Sequence, residues 1–184
     1  MPGQQRELVL RFLAEPSDVN FGGKVHGGAV MKWIDQAGYA AAVGWSGHYC
    51  VTVAVGGIRF AEPIRIGDLV VVRAKLVRTG STSMQFAVDV LARDLGSGNE
   101  RRATGCVITF VALDGPAGRP VPVPAWQPVA EEDLRLAELA SRLGELSKAM
   151  ELEGSRGVPT RIDEPSAPAP AAGAPVPGNP GRGP

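Results

Sequence analysis

The stretch from Asn20 to Gly28, Asn-Phe-Gly-Gly-Lys-Val-His-Gly-Gly, constrains this chain more than any other. Glycine fills four of its nine positions, so the backbone there takes unusual dihedrals or lets another group come close. The stretch leads into residues 29–43, rich in alanine and apolar side chains and free of proline, which reads as a helix. His26 therefore stands at a helix start, where backbone N–H groups lack partners and the macrodipole is positive. Such a place can hold a carbonyl or a developing oxyanion.

The helix has two unlike faces. At about 100° per residue, Val30, Ile34, Ala37 and Ala41 form one stripe with Trp33 beside it. Gly28, Asp35 and Tyr39 lie roughly opposite, flanked by Met31 and Ala42. From residue 29 to 45 the only charged residues are Lys32 and Asp35, so the second face is also mostly apolar. A helix apolar all round is buried all round. One face is expected on the chain's own sheet and the other against a second subunit, with Asp35 in that contact on the same side as Gly28. The plain alternative is a surface Lys32–Asp35 pair at i, i+3, which stabilises little.

At 184 residues and a net charge of +0, the chain has room for one domain plus appendages and no basic excess to suggest nucleic acid. Its first residues lack the apolar core of a signal peptide, and no run approaches the ~20 apolar residues of a membrane span, so a cytoplasmic location is expected. Cys50 and Cys106 are far apart in the chain and lack metal-type spacing; they read as reduced, strand-borne thiols. With only His26 and His48 as histidines, no metal site is expected.

Taken in order, residues 8–13 read as a first strand and 16–24 as the loop into the glycine-rich entry. The helix follows and is expected to break at residues 44–47. Valine-rich or alternating strands are expected at 48–60, 69–77, 83–95 and 102–113, joined by short turns. One strand, a long helix and four more strands argue an α+β class with an antiparallel five-stranded sheet against the helix. Residues 1–115 form this domain. Residues 116–128 carry five prolines and read as an extended connector. Residues 129–153 form an amphipathic helix whose Leu136, Leu139, Leu143, Leu146 and Met150 suit docking on the domain or a short coiled-coil seam. Residues 154–184, mostly Pro, Ala and Gly, are expected to be disordered.

Asn20, then His26-Gly27-Gly28, then Asp35, on a strand-and-helix unit followed by four strands, resembles the hotdog-fold acyl-CoA thioesterases. The run from Val25 to Asp35 is most similar to the branch holding the bacterial short- and medium-chain enzymes and the animal cytosolic acyl-CoA hydrolases. Phe60-Ala61-Glu62-Pro63, Ile66-Gly67-Asp68 and Gly80-Ser81-Thr82-Ser83 resemble that branch as well. The likeness spans roughly residues 7 to 114. It implies a hotdog fold, with the sheet wrapped around the long helix, and hydrolysis of an acyl-CoA thioester. Asp35 would be the general base that activates water, or alternatively the nucleophile. The Gly27 N–H, helped by Gly28, would polarise the thioester carbonyl. His26 would brace the loop or donate to the carbonyl, unless it is only structural. Asn20 would orient the water across a dimer interface, unless it only caps a turn. Arg78, Ser81, Thr82 and Ser83 would meet the nucleotide end of coenzyme A, which is part of the substrate; no separate cofactor is implied.

In related enzymes of the phenylacetate-pathway type, a serine or threonine after the helix positions the nucleophile. The matching place here falls at about Val53, with Thr52 beside it and pointing to the other face, a departure that weakens any claim to that subgroup's aromatic substrates. Both residues still belong to the expected substrate-binding set. The exposed helix face and the open edges of a five-stranded sheet both call for a homodimer with shared sites, and the resemblance extends this to a hexamer as a trimer of dimers. Two other readings compete: a non-catalytic acyl-CoA sensor using the same pocket, and a hotdog dehydratase or hydratase. Neither nucleic acid nor a membrane is expected as a partner.

Overall fold

The computed structural model describes residues 5–154; the expected tail lies, from residue 155 onward, outside the described residues. Strand β1 (Glu7–Leu13) and a single 3-10 turn (Pro16–Asp18) lead to helix α1 (Gly27–Ser46). Strands β2 (Tyr49–Gly56), β3 (Leu69–Thr79), β4 (Ser83–Arg93) and β5 (Glu100–Leu113) follow, then helix α2 (Glu131–Gly154). The strands form one sheet in the order β1-β3-β4-β5-β2, every neighbouring pair antiparallel. Helix α1 touches all five strands. This is the α+β arrangement of a sheet wrapped around one long helix that the sequence leads one to expect.

Helix α1 is longer than its sequence suggests. It starts at Gly27, directly after His26, whose ψ of 139° is not helical, and it runs through Gly44 without a break. It stops at Gly47, where a φ of 72° places the residue in the left-handed region and its N–H bonds Val43 O at 2.8 Å. The inward stripe is as expected, with Val30, Trp33, Ile34, Ala37 and Ala41 buried. Gly28, Lys32, Asp35 and Tyr39 are exposed in the single chain. Gly38 faces the sheet, where a Cβ would stand 2.7 Å from the Phe110 ring, so only glycine lets the helix settle this close. Beneath it Phe86 and Phe110 meet edge-on with ring centroids 6.2 Å apart. With Ile34, Leu76, Met84 and Ile108 they are fully buried, each contributing about 1.5–3 kcal/mol of hydrophobic stabilisation.

Strand β2 ends earlier than expected, at Gly56, because Gly57 turns the chain with a φ of 70°. The proline-rich segment after β5 is extended but firmly held. Val121 and Val123 donate backbone bonds to Ala112 O and Ser81 O, and the Trp45 indole N–H bonds Pro124 O at 2.9 Å. Val121, Val123 and Trp126 reach the main core. Helix α2 then crosses the outer face of the sheet. Leu136, Ala140 and Leu143 pack with Val77, Ala87 and Val107, while Leu139, Leu146 and Met150 stay exposed. Among the described residues no helix is long and apolar enough to cross a membrane.

Candidate active site

The glycine-rich entry is a small closed loop. Val19 bridges Val25, and the Asn20 side-chain oxygen accepts the N–H groups of Gly22 at 2.9 Å and Lys24 at 3.3 Å. Asn20 thus caps a turn through its carbonyl oxygen. The His26 backbone N–H donates to Asp18 O at 2.8 Å, and its carbonyl accepts from Ala29 and Val30. Its side chain makes no capping bond, so this residue shapes the helix start through its backbone. The Gly27 and Gly28 N–H groups find no acceptor among the described residues. A Cβ at Gly28 would meet nothing within 4 Å. An exposed pair of unpaired donors at a helix N-terminus is a ready place for a carbonyl oxygen to accept hydrogen bonds.

Two turns further along α1, Asp35 stands on the same side. The Thr52 hydroxyl donates to Asp35 Oδ1 at 2.5 Å. This corrects the sequence expectation that Thr52 points away and that Val53 holds the matching place. A β-bulge in the β2–β5 pairing lies between Thr52 and Ala54. Before it, Cys50 and Thr52 face the helix; after it, Val55 does, while Val53 and Ala54 border the outer face. Reading the valines at 51, 53 and 55 as one continuous face misses that change of parity. The apparent departure at Val53 therefore falls away. The Asp35 carboxylate is tethered to the sheet by Thr52 rather than by a surface pair with Lys32.

An apolar recess of about 250 Å³ opens beside Gly27, bordered by Val25, Val30, Phe60, Pro63, Ile64 and Ala103, with Lys24 and Glu62 at its rim. The Phe60 ring lies 3.5 Å from where a Gly27 Cβ would be. The loop carrying Phe60 is pinned to β5: Thr104 donates to Arg59 O, and Arg101 reaches both Pro63 O and the buried Asp68 carboxylate. Asp68 also accepts the Arg65 N–H at 2.6 Å. The Gly67-Asp68 turn is visible in the sequence; the Arg101 partnership that makes it a brace is not, because it joins residues far apart in the chain.

Of the residues expected to meet coenzyme A, Arg78, Ser83 and Val53 border one cavity of about 370 Å³ on the outer face of the sheet. Arg78 donates to Gln85 Oε1 at 3.2 Å. Ser81 and Thr82 do not border that cavity; their carbonyls accept backbone bonds from Val123 and Ala112. The two cysteines are free and buried. Burial raises the Cys50 thiol, partly offset by a hydrogen bond to Ser46, and burial followed by the nearby Asp89 charge pushes Cys106 up to about 12. Both shifts disfavour the thiolate, the nucleophilic form. Among the described residues no group of three metal-ligating side chains is present.

A five-stranded sheet wrapped around a helix, with open N–H donors at the helix start and a tethered carboxylate two turns on, defines a hotdog thioesterase. The thioesterase superfamily model matches residues 22–98, a span that includes His26, Gly27, Gly28, Asp35 and Thr52. An acyl-CoA thioester hydrolase, YciA, of Salmonella typhimurium is 37% identical over 123 residues, 65% of this chain and 92% of that protein. The chain belongs to the thioesterase superfamily, in the family of these acyl-CoA thioester hydrolases. Solved structures agree. The acyl-CoA hydrolase of Staphylococcus aureus, crystallised with butyryl coenzyme A, coenzyme A and coenzyme A disulfide, superimposes with a TM-score of 0.74 at 26% identity, covering 83% of this chain and 92% of that one. Alanine variants of one aspartate, one threonine and one asparagine of that enzyme have also been solved. The hexameric thioesterase of Yersinia pestis gives 0.61 at 36% identity, covering 66% and 98%.

Proposed function

We propose that this protein hydrolyses acyl-CoA thioesters to free acid and coenzyme A, with Asp35 as general base. The observation that carries the reading is the Thr52–Asp35 hydrogen bond two turns from the unpaired N–H groups of Gly27 and Gly28. The three positions varied in the Staphylococcus aureus enzyme stand fifteen and seventeen residues apart, as Asn20, Asp35 and Thr52 do here.

The thioester carbonyl oxygen accepts from the Gly27 N–H, with Gly28 beside it, while the acyl chain enters the recess walled by Phe60. Thr52 occupies Oδ1 of Asp35 and leaves Oδ2 to take a proton from water. The hydroxide equivalent adds to the carbonyl carbon, and the helix start stabilises the resulting oxyanion. Collapse breaks the carbon–sulfur bond, and the proton held by Asp35 passes to the departing sulfur. Thr52 as a fixed donor favours the general-base role over direct attack by Asp35, since a carboxylate held at one oxygen is less free to form an anhydride.

Asn20 orients the water from the partner subunit of a homodimer. Its carbonyl oxygen is used within its own turn, so its amide N–H group is the part that faces outward. Assembly of three such dimers into a hexamer is supported by the hexameric thioesterase relative. Two free thiols support a reducing, cytoplasmic location. Release of free thiol from a ladder of acyl-CoA chain lengths is the direct test. Turnover that depends on chain length is expected, and tight acyl-CoA binding with no thiol release would overturn the reading in favour of a sensor.

A further inference from the structure

Helix α2 lies outside the residues that the family model matches, yet it walls the cavity that holds Arg78 and Ser83. Resting on the function proposed above, we infer that α2 is part of the coenzyme A site, and that Lys148, with Ser141 and Ser147, receives the phosphates of the nucleotide end.

The placement follows from how α2 is fixed. Gln85, on β4, is buried at 7% exposure, and its side-chain N–H group reaches Ala140 O and the Thr109 hydroxyl, both at 3.4 Å. Helix and sheet come closest at a glycine: a Cβ at Gly57, whose φ is 70°, would stand 3.3 Å from Leu143. This docking aims the face bearing Ser141, Ser147 and Lys148 at the mouth of the cavity, opposite Val53, Arg78 and Ser83. Gln85 holds Arg78 at the floor through its carbonyl oxygen while holding α2 through its amide. One side chain thus sets the separation of the two walls.

The chemistry of the lining suits a phosphate-bearing ligand. Two cations, Arg78 and Lys148, come from opposite walls, with three serine hydroxyls between them as donors. Glu145 is the one acid at the rim, so the balance there is positive. The apolar part of the lining, Val53, Ala54, Val107 and Leu143, offers an apolar surface for an adenine or pantetheine segment. The cavity's volume falls within the usual range for small-ligand sites. It also starts at Val53, one residue past Thr52, on the strand that tethers Asp35.

The test compares acyl-CoA with the matching acyl-pantetheine, which lacks the nucleotide. Lys148→Glu should raise KM for acyl-CoA by roughly tenfold with kcat unchanged, because a charge-assisted contact becomes a repulsion. KM for acyl-pantetheine should not move. Lys148 is exposed, so the variant should fold, and Glu145→Lys, on the same rim, should shift KM the opposite way. Calorimetric binding of coenzyme A itself separates this assignment from the hydrolytic one. Weaker binding by Lys148→Glu supports the site even if no turnover is seen. Equal affinity for coenzyme A in wild type and variant, or equal KM changes for both substrates, would overturn it.

Discussion

Thr52 holds one oxygen of Asp35, so the two side chains should fail differently when removed. Asp35→Asn keeps the shape but cannot take a proton, and turnover should fall by ~10²–10⁴-fold with folding intact. Thr52→Val removes only the tether; kcat should drop by roughly ten- to a hundredfold, the usual worth of a hydrogen bond to a charged group, and Thr52→Ser should restore most of it. Near-normal turnover by a folded Asp35→Asn protein would remove the aspartate from the mechanism. The thiols supply a second expectation. With Cys50 and Cys106 both buried and raised, native protein should bind no thiol reagent at neutral pH, while unfolded protein should bind two equivalents. A reactive native thiol would contradict the burial. Asp35 is legible in the sequence because a lone acid on an apolar helix face, downstream of a glycine-rich entry, adds nothing to packing and carries a desolvation cost. Thr52 is not, because its direction depends on a bulge, and no residue in Val51-Thr52-Val53-Ala54 marks where the alternation slips.

At the scale of elements, α2 is held to the domain at its N-terminal end by charge. Asp133, 6% exposed, bonds Arg6 and lies 3.3 Å from Lys75, while Arg6 itself sits 4.4 Å over the Trp126 ring. The hydrogen bond from Arg6, helped by Lys75 and opposed by desolvation, holds the Asp133 carboxyl below the usual aspartate range. A carboxyl lowered by folding stabilises the folded state above its unfolded pKa, about 4, and that contribution is lost as pH falls through the lower folded value. The protection of α2 amides from hydrogen exchange, relative to their intrinsic rates, should therefore fall below about pH 4, before the sheet opens. Asp133→Asn should show the same loosening at neutral pH. Equal protection of α2 and β4 down to global unfolding would mean that the clasp adds nothing. The helix and its apolar repeat are plain in the sequence, but its seat is not. Which leucines dock depends on Gly57, where a Cβ would stand 3.3 Å from Leu143, and on Gln85 of β4 bonding Ala140 O of α2. Those pairings join residues more than fifty positions apart and leave no local pattern.

For the whole molecule, the question is what covers the open side of the site. The single chain leaves Tyr39 and Tyr49 exposed, their rings 6.3 Å apart, with Val53 exposed nearby on the same edge strand and Phe21 fully exposed at the tip of the Asn20 loop. Among the described residues strand β2 has no partner on its outer edge. Apolar side chains gathered around a free strand edge are what a second copy would bury. On the proposed reading, a two-fold dimer joined there would set the Asn20 loop of one chain against the α1 face of the other, and no hydrogen bond joins Asn20 to Asp35 within one chain among the described residues. Each site would then draw its asparagine from one subunit and its aspartate from the other. Asn20→Ala and Asp35→Ala proteins should each be nearly inactive alone. Mixed dimers hold one site with both residues intact and one with neither. Random exchange of equal amounts puts about half the chains in mixed dimers and should return about a quarter of wild-type activity. Exchange is followed independently by labelling one variant and watching the label enter mixed species. Mixed dimers that form yet stay silent would rule out a shared site, and a monomer with full activity at working concentration would rule out the dimer as the functional unit.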